Sequence, residues 1–172
     1  MRVLTVVLLS AFVIGGCEPN PPAPATPPVA PFEELNSQFK GLDAGKDPDF
    51  GTLEAVTLNL WTKYPSRREE WIEPWLTDPK GDLHKKNLIL TYLVGAKWDK
   101  DVDATERPKL EAILRQAISV ERSNLIQDYC QIARNGRLKS LAPALKSAGS
   151  GMKAGTNKKA IDDTVAYLES IH

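Results

Sequence analysis

The sequence predicts an all-α fold, and three observations indicate it. Apolar residues recur at helical spacing in separate segments, as in residues 110–118 and 125–133. Residues that typically start or stop helices lie between those segments. No hairpin dipeptide flanked by alternating apolar and polar residues occurs, so paired strands are not expected.

Five apolar stripes justify five helices. Within each stripe the members are mostly three or four residues apart, or directly adjacent, and therefore share one face of a helix. In chain order the stripes are Leu53, Val56, Leu60, Trp61 and Tyr64; Leu110, Ile113, Leu114, Ala117 and Ile118; Leu125, Ile126, Tyr129, Cys130 and Ala133; Leu138, Leu141, Ala142 and Leu145; and Ile161, Val165 and Leu168.

Boundary signals accompany these stripes. Ser66 with Glu69 three residues later matches a capping box. Asp82 and Thr105 are N-cap candidates, and Gly136 is of the type that ends helices. We therefore expect helices to begin after the first three signals and one helix to end at the fourth.

Residues 88–94 (LILTYLV) are apolar on every side and are consistent with either a buried strand or a buried helix. They belong to a longer segment, residues 82–96, and no partner strand is evident. We interpret the segment as a buried helix.

The amino terminus is typical of a secretory signal peptide. Met1 and Arg2 supply a positive start, and residues 3–14 are mostly apolar. This run is too short to span about 30 Å of hydrocarbon, which needs about 20 helical residues. An ordinary secreted protein is one interpretation of this pattern.

Residues Ile14, Gly15, Gly16 and Cys17 resemble the lipobox of bacterial lipoproteins. The resemblance implies that residues 1–16 are removed and that Cys17 becomes an acylated N-terminus. Two or more acyl chains anchor a protein stably, whereas one binds a membrane only marginally. The chain is then expected in a bacterial cell envelope. If the source is Gram-negative, Glu18, which is not aspartate, favours the periplasmic face of the outer membrane over the inner membrane.

A proline-rich tether is expected between the anchor and the domain. Residues 18–31 read EPNPPAPATPPVAP, and proline excludes helix and sheet there. In polyproline II conformation, at about 3.1 Å per residue, the segment spans up to about 43 Å. The predicted organisation is a signal peptide over residues 1–16, a lipidated tether over 17–32 and a helical domain over 33–172. A docking site for SH3-like domains is an alternative for the tether.

The domain resembles HEAT-like repeats, which implies antiparallel helix pairs stacked as a short α-solenoid. First helices are predicted near Gly51, Asp82, Glu121 and Asn157, at comparable spacings. A non-repetitive helical bundle remains the alternative. The segments that carry the resemblance are Asp78 and Pro79 followed by Leu83, His84 and residues 88–95; Val120, Glu121 and Arg122 followed by residues 125–136; and residues 137–146.

Global charge does not indicate a nucleic-acid partner, because 22 basic and 22 acidic side chains balance over 172 residues. Locally, however, the chain between Tyr129 and Ile161 carries seven basic residues and no acidic one. This set is a candidate surface for an anionic partner such as lipid headgroups, wall polymers or an acidic protein; a solvated face is the alternative. Its members are Arg134, Arg137, Lys139, Lys146, Lys153, Lys158 and Lys159.

Tryptophans supply a second candidate surface. Trp71 and Trp75 lie four residues apart and share one side of a predicted short helix, which Pro74 strains. If the two rings are exposed, they form an apolar binding surface. If they are buried, they belong to the hydrophobic core.

Metal and catalytic motifs are incomplete. Asp99, Asp101 and Asp103 match the first half of a calcium-binding EF-hand loop, but its glycine and bidentate glutamate are missing. Cys130 is expected to be a buried core thiol, and His84, next to Lys85 and Lys86, is expected on a solvated face. Residues 147–157 hold three glycines but lack a phosphate-loop ending, so a flexible loop is expected.

We therefore expect a protein without enzymatic activity, metal or cofactor. Helical repeats usually present extended protein-binding surfaces, so the resemblance implies a scaffold or assembly factor in the envelope. Its expected partners are the membrane, through Cys17, and an envelope protein. The alternatives are a spacer lipoprotein that binds nothing, and a weakly calcium-binding or enzymatic domain.

Overall fold

A computed structural model describes residues 30–43, 49–121 and 125–171. Within these ranges the chain forms α-helices and short 3-10 turns without any strand, so the predicted all-α class is confirmed. The 3-10 turns cover Pro65–Arg67 and Lys139–Leu141. The helices are α1 (Phe32–Gly41), α2 (Asp49–Lys63), α3 (Arg68–Leu76), α4 (Leu83–Gly95), α5 (Trp98–Asp101), α6 (Arg107–Val120), α7 (Ile126–Asn135), α8 (Ala142–Ser150) and α9 (Thr156–Ser170).

Helices α1, α3, α6 and α8 form one row of parallel neighbours. Arg67, just before α3, lies 2.7 Å from Glu33 at the start of α1. Arg68 in the first turn of α3 binds Glu106 just before α6. Ser140, just before α8, hydrogen-bonds Glu111 in the first half of α6. Each contact joins corresponding ends, so all four helices of this row run in the same direction.

Helices α2, α4, α7 and α9 form the second row, which is also parallel. The rings of Trp61 and Tyr92, late in α2 and α4, have centroids 6.0 Å apart. Asn135 at the end of α7 donates from Nδ2 to the Val94 carbonyl near the end of α4, at 2.9 Å. At the opposite end, Gln127 of α7 and Asn157 of α9 are joined by a hydrogen bond of 2.7 Å.

The two rows run in opposite directions. The start of α1 meets the end of α2, since the rings of Phe32 and Tyr64 have centroids 5.5 Å apart. Gly149 near the end of α8 likewise packs on Ile161 early in α9. Four antiparallel helix pairs result: α1 with α2, α3 with α4, α6 with α7, and α8 with α9. Whether these pairs are HEAT-like repeats stays a prediction.

The predicted first helices correspond to the second row. α2, α4 and α9 begin within two residues of the predicted positions. The expected start near Glu121 is wrong, because Glu121 ends α6 and α7 begins at Ile126. Ala30, which precedes the predicted helical domain, contacts the end of α2: its carbonyl accepts a hydrogen bond from the Tyr64 hydroxyl at 2.9 Å.

The apolar stripes form the core. Every residue of the five predicted stripes is buried except Tyr64, which is half-buried. The segment 88–94 is helical, as predicted, and lies inside α4. Trp98 of the single-turn helix α5 adds a ring to the same core and donates from Nε1 to the Leu93 carbonyl at 3.2 Å.

Two of the predicted N-terminal caps are wrong and one is confirmed. Asp82 caps α4, accepting from the backbone N–H groups of its first turn. Ser66 lies inside a 3-10 turn, and the side chains at the start of α3 provide no cap. Thr105 is not an N-cap, because the Asp103 carboxylate accepts the N–H groups there.

Gly136 ends α7, as predicted, but packing and not a positive φ requires the glycine. A Cβ at this position would lie 2.8 Å from Leu138 and 2.9 Å from the Trp98 ring. The left-handed conformation belongs to the next residue, Arg137, at φ 51°. The turn between α7 and α8 therefore depends on close contact with α5.

Arg68 connects four helices from a buried position. Its Nε and Nη2 groups donate to the Trp61 carbonyl at 3.2 and 2.9 Å, and Nη1 donates to the Asp101 carbonyl at 2.7 Å. Nη1 also contacts both carboxylate oxygens of Glu106, at 3.0 and 3.1 Å. The guanidinium lies 3.8 Å from the centroid of the Trp61 ring. All three guanidinium nitrogens are therefore used.

We predict that Arg68→Ala destabilises the protein strongly. The substitution leaves the Glu106 carboxylate, 6% exposed, without its countercharge. Breaking a buried pair at one partner costs about 3–5 kcal/mol of unfolding free energy. Urea unfolding measures the loss. Arg115→Ala, at an exposed site on α6, is the control and should change the value by less than about 0.5 kcal/mol. Equal losses in the two variants would contradict the assignment.

Candidate binding groove between helices α7 and α9

An open groove of about 580 Å³ lies between α7 and α9. Residues three, four, seven and eight positions apart line it on both helices, so one stripe of each helix forms each wall. The walls and floor are Gln127, Cys130, Gln131, Arg134 and Asn135 from α7, and Thr156, Lys159, Ala160, Asp163 and Thr164 from α9.

Small side chains form the floor of this groove. Cys130 is 3% exposed and Thr164 is 1% exposed, and the two side chains interact. Burial raises the pKa of the Cys130 thiol, so the thiol stays protonated and unreactive near neutral pH. The cysteine is a core residue, as predicted from the stripe.

The groove continues past the start of α9. A second depression of about 470 Å³ shares Gln127 and Thr156 with the first and is also lined by Lys153 and Lys158. The first backbone N–H groups of α9 receive no side-chain cap and add partial positive charge at this end. We call the two depressions together the α7–α9 groove.

The seven predicted basic residues do not form one patch. Arg134, Arg137 and Lys139 lie at the end of α7 and in the turn that follows, whereas Lys153 and Lys158 lie at the opposite end of the groove. α7 has ten residues and is therefore about 15 Å long, which separates the two groups. The prediction of a single anionic-partner surface needs this correction.

Several of these side chains also have partners. Lys158 and Lys159 pair with Asp162 and Asp163, one turn further along α9, at 2.5 and 2.6 Å. The Lys146 ammonium pairs with the Glu169 carboxylate late in α9. Arg134 instead lies over an aromatic ring: its guanidinium carbon is 5.4 Å from the Tyr167 centroid. Arg137, Lys139 and Lys153 are exposed and have no ion-pair partner among the described residues.

The predicted tryptophan surface is wrong. Trp71 is fully buried, and its ring packs edge-on against Phe39 of α1, with centroids 5.5 Å apart. Trp75 is half-buried between the same ring and the Lys85 ammonium, which lies 4.2 Å from its centroid. The Lys85 ammonium donates to the Lys40 carbonyl at 3.0 Å and so caps α1. Helix α1 covers the two rings, and the sequence alone could not predict that α1 packs there.

Lys85 and Lys86 also depart from expectation. His84 is exposed, as predicted, but the two lysines beside it are buried. Burial lowers the pKa of Lys85. The Lys86 stem packs against Gly81, where an added Cβ would lie 3.1 Å from Lys86 Cε. His84 and Cys130 form no hydrogen bond with each other.

The aspartates of residues 99–103 have separate local roles. Asp99 is 88% exposed and lies 3.5 Å from Arg107, and Asp101 accepts from the Lys97 N–H at 2.8 Å. Asp103 accepts from the Thr105 hydroxyl and N–H at 2.7 and 2.8 Å. No group of three or more metal-ligand side chains occurs among the residues that the structure describes.

The predicted loop 147–157 is shorter than expected. Residues 147–150 belong to α8 and residues 156–157 to α9, which leaves residues 151–155 as the connection. Gly149 is helical, and its missing side chain lets Ile161 of α9 approach, since an added Cβ would lie 3.0 Å from Ile161 Cγ2. Close helix packing therefore explains one of the three glycines.

Sequence reasoning missed the groove itself. Its distinctive side chains are the amides Gln127, Gln131 and Asn135, four residues apart along α7. That spacing was a usable signal of a polar stripe on one face of a helix. The facing wall on α9 was not predictable, because the packing of α7 against α9 depends on the tertiary fold. Cys17 lies outside the described residues.

Comparisons with known proteins identify no relative. No family model matches the chain, and neither the curated proteins nor the solved structures contain a match. Across the ranges 30–43, 49–121 and 125–171, no helix has the length and apolar character required to cross a bilayer.

We predict that Asp103 makes the free energy of unfolding depend on pH in the acidic range. Hydrogen bonds, the Thr105 hydroxyl first, lower its pKa, so folding favours the ionised carboxylate. This contribution is complete above the unfolded-state pKa, about 3.9, and is lost as pH falls through the folded-state pKa. The urea midpoint of Asp103→Asn should therefore lie below that of the wild type at pH 7 and approach it near pH 3. Asp99→Asn is the control, and a constant difference across pH would contradict the assignment.

Proposed function

We propose that this protein is a lipid-anchored scaffold of the bacterial cell envelope and that its α7–α9 groove binds an extended segment of a partner protein. The observation that carries the proposal is the groove: two parallel helices present facing stripes with amides, charges and a floor of small residues. Such a surface offers directional hydrogen bonds along its length, which suits a polypeptide.

The two helix rows support the scaffold interpretation. Each row has four parallel helices, and the antiparallel pairs follow one another along the rows. We propose that this arrangement is a short HEAT-like solenoid. Solenoids place binding side chains on successive helices of one row, as α7 and α9 do here.

The anchor rests on the lipobox resemblance at residues 14–17 and on the proline-rich residues that follow. The described chain begins at Ala30, held by Tyr64 where α2 ends and α1 begins. The tether therefore joins the domain at the first helix pair, whereas the groove lies between the third and fourth pairs.

We expect the mature protein to carry acyl chains on Cys17. Intact-mass spectrometry of protein extracted from membranes should give the mass of a chain that starts at residue 17, increased by the mass of its acyl groups. Cys17→Ser should lose the lipid, because the thioether requires the sulfur atom. Cys130→Ser, which changes the other cysteine, is the matched control and should keep it. An unmodified wild-type chain would refute the anchor.

We expect a photo-crosslinking amino acid at Gln131, inside the groove, to capture a protein in intact cells. Gln116 is exposed on α6, in the other row, and provides a matched control position. A reproducible adduct from position 131 that is absent from position 116 supports the scaffold. Identical products from both positions, or adducts with lipid alone, would reject the groove as a binding site and favour the spacer alternative.

A further inference from the structure

We infer that the segment bound in the α7–α9 groove is an extended acidic peptide in which acidic residues alternate with small ones. The inference rests on the proposed scaffold function and names the chemistry of its partner. Three independent features of the groove support it: the spacing of its amides, the charge at its two ends and the size of its floor residues.

Amide spacing on α7 matches the repeat of an extended chain. Gln127, Gln131 and Asn135 are four residues apart, which is about 6 Å along a helix. An extended peptide repeats every two residues, or about 6.6 Å. Consecutive amides therefore meet equivalent peptide groups, and the ten residues of α7 accommodate about four or five ligand residues.

The amides have hydrogen-bonding capacity for a peptide backbone. Gln131 makes no hydrogen bond with the described residues, so both its donor and its acceptor are available. Gln127 and Asn135 each use their NH₂ group, toward Asn157 and the Val94 carbonyl. These bonds hold the two side chains in place and leave their carbonyl oxygens for backbone N–H groups of a ligand.

Charge selects an acidic ligand. The lining of the groove includes four cations, Arg134, Lys153, Lys158 and Lys159, and one carboxylate, Asp163. Lys158 and Lys159 pair with carboxylates of their own helix. Lys158 is half-buried and Lys159 is exposed, and ion pairs at such solvent-accessible sites contribute little to stability. A ligand carboxylate can replace them at low cost. Arg134 at one end and Lys153 at the other frame the binding length.

The floor selects small side chains. Cys130, Ala160 and Thr164 are small and line the groove between its walls. Successive side chains of an extended peptide point to opposite sides. Residues that face the floor must therefore be small, whereas the alternate residues face outward toward the cationic side chains.

A lipid phosphate or a phosphate-rich wall polymer would share the charge requirement. Such ligands present point anions and have no backbone donors and acceptors at a 6.6 Å repeat. The amide stripe therefore favours a peptide. The experiment separates the two classes through competition.

The test uses the full chain purified from membranes in detergent and a fluorescein-labelled eight-residue peptide of alternating aspartate and alanine. Fluorescence anisotropy should show at least tenfold tighter binding of this peptide than of its asparagine–alanine counterpart. Binding should weaken between 0.05 and 0.5 M salt, because the attraction of charges is screened. Gln131→Ala should weaken binding of the acidic peptide without changing its salt dependence.

A charge-matched pair of variants locates the site. Arg134→Ala with Lys153→Ala removes the two cations that frame the groove and should weaken peptide binding tenfold or more. Arg137→Ala with Lys139→Ala removes the same charge outside the groove and should leave binding within twofold. Equal binding of the two peptides, or equal losses in the two double variants, would overturn the inference.

Competition decides the ligand class. Inorganic phosphate and vesicles of phosphatidylglycerol, at matched anionic charge, should displace the peptide poorly. Displacement as effective as by unlabelled peptide would overturn the inference in favour of a phosphate ligand. If the crosslinker at Gln131 captures a protein but the acidic peptide does not bind, the scaffold stands and the acidic specificity falls. If neither occurs, both proposals fall.

Discussion

The guanidinium of Arg68 holds together the part of the fold on which the rest is stacked. Its three nitrogens are all occupied, because they donate at once to the end of α2, the end of α5 and the carboxylate before α6. Removing two charges from water is costly, and only complete hydrogen bonding offsets that cost. The position of α6 relative to α3 therefore follows from Arg68, and α8 continues the row from α6.

The same edge of the molecule is linked further by arginines. Arg67 joins the starts of α1 and α3 and lies 3.6 Å from the Phe32 ring centroid. Arg107 donates from Nη2 to the Gly136 carbonyl at 2.6 Å, which ties the start of α6 to the turn after α7. Successive arginines thus hold the helix starts of one row in register, and the register of the other row, including α7 against α9, follows from the pairing of the helices.

That register creates the groove. The amides of α7 and the polar stripe of α9 face each other along the two parallel helices, with Gln127 beside Asn157 at one end and Arg134 beside Tyr167 at the other. The floor closes because Cys130 and Thr164 are small and buried. A binding surface of this kind uses side chains that are remote in the chain, and its polarity distinguishes it from the apolar core beneath.

The sequence by itself determined the helices that carry an apolar stripe and the buried faces of those helices, because the spacing of apolar residues is a local property. The stripes from Leu53 to Leu168 became core, and the lipobox resemblance at Cys17 is likewise a short-range pattern. Only the tertiary structure decided which polar residues meet. It covered Trp71 with α1, divided the basic residues between two ends of α7 and brought Lys85 under Trp75. These outcomes depend on contacts between distant segments, and no single segment contains the information about what will lie against it.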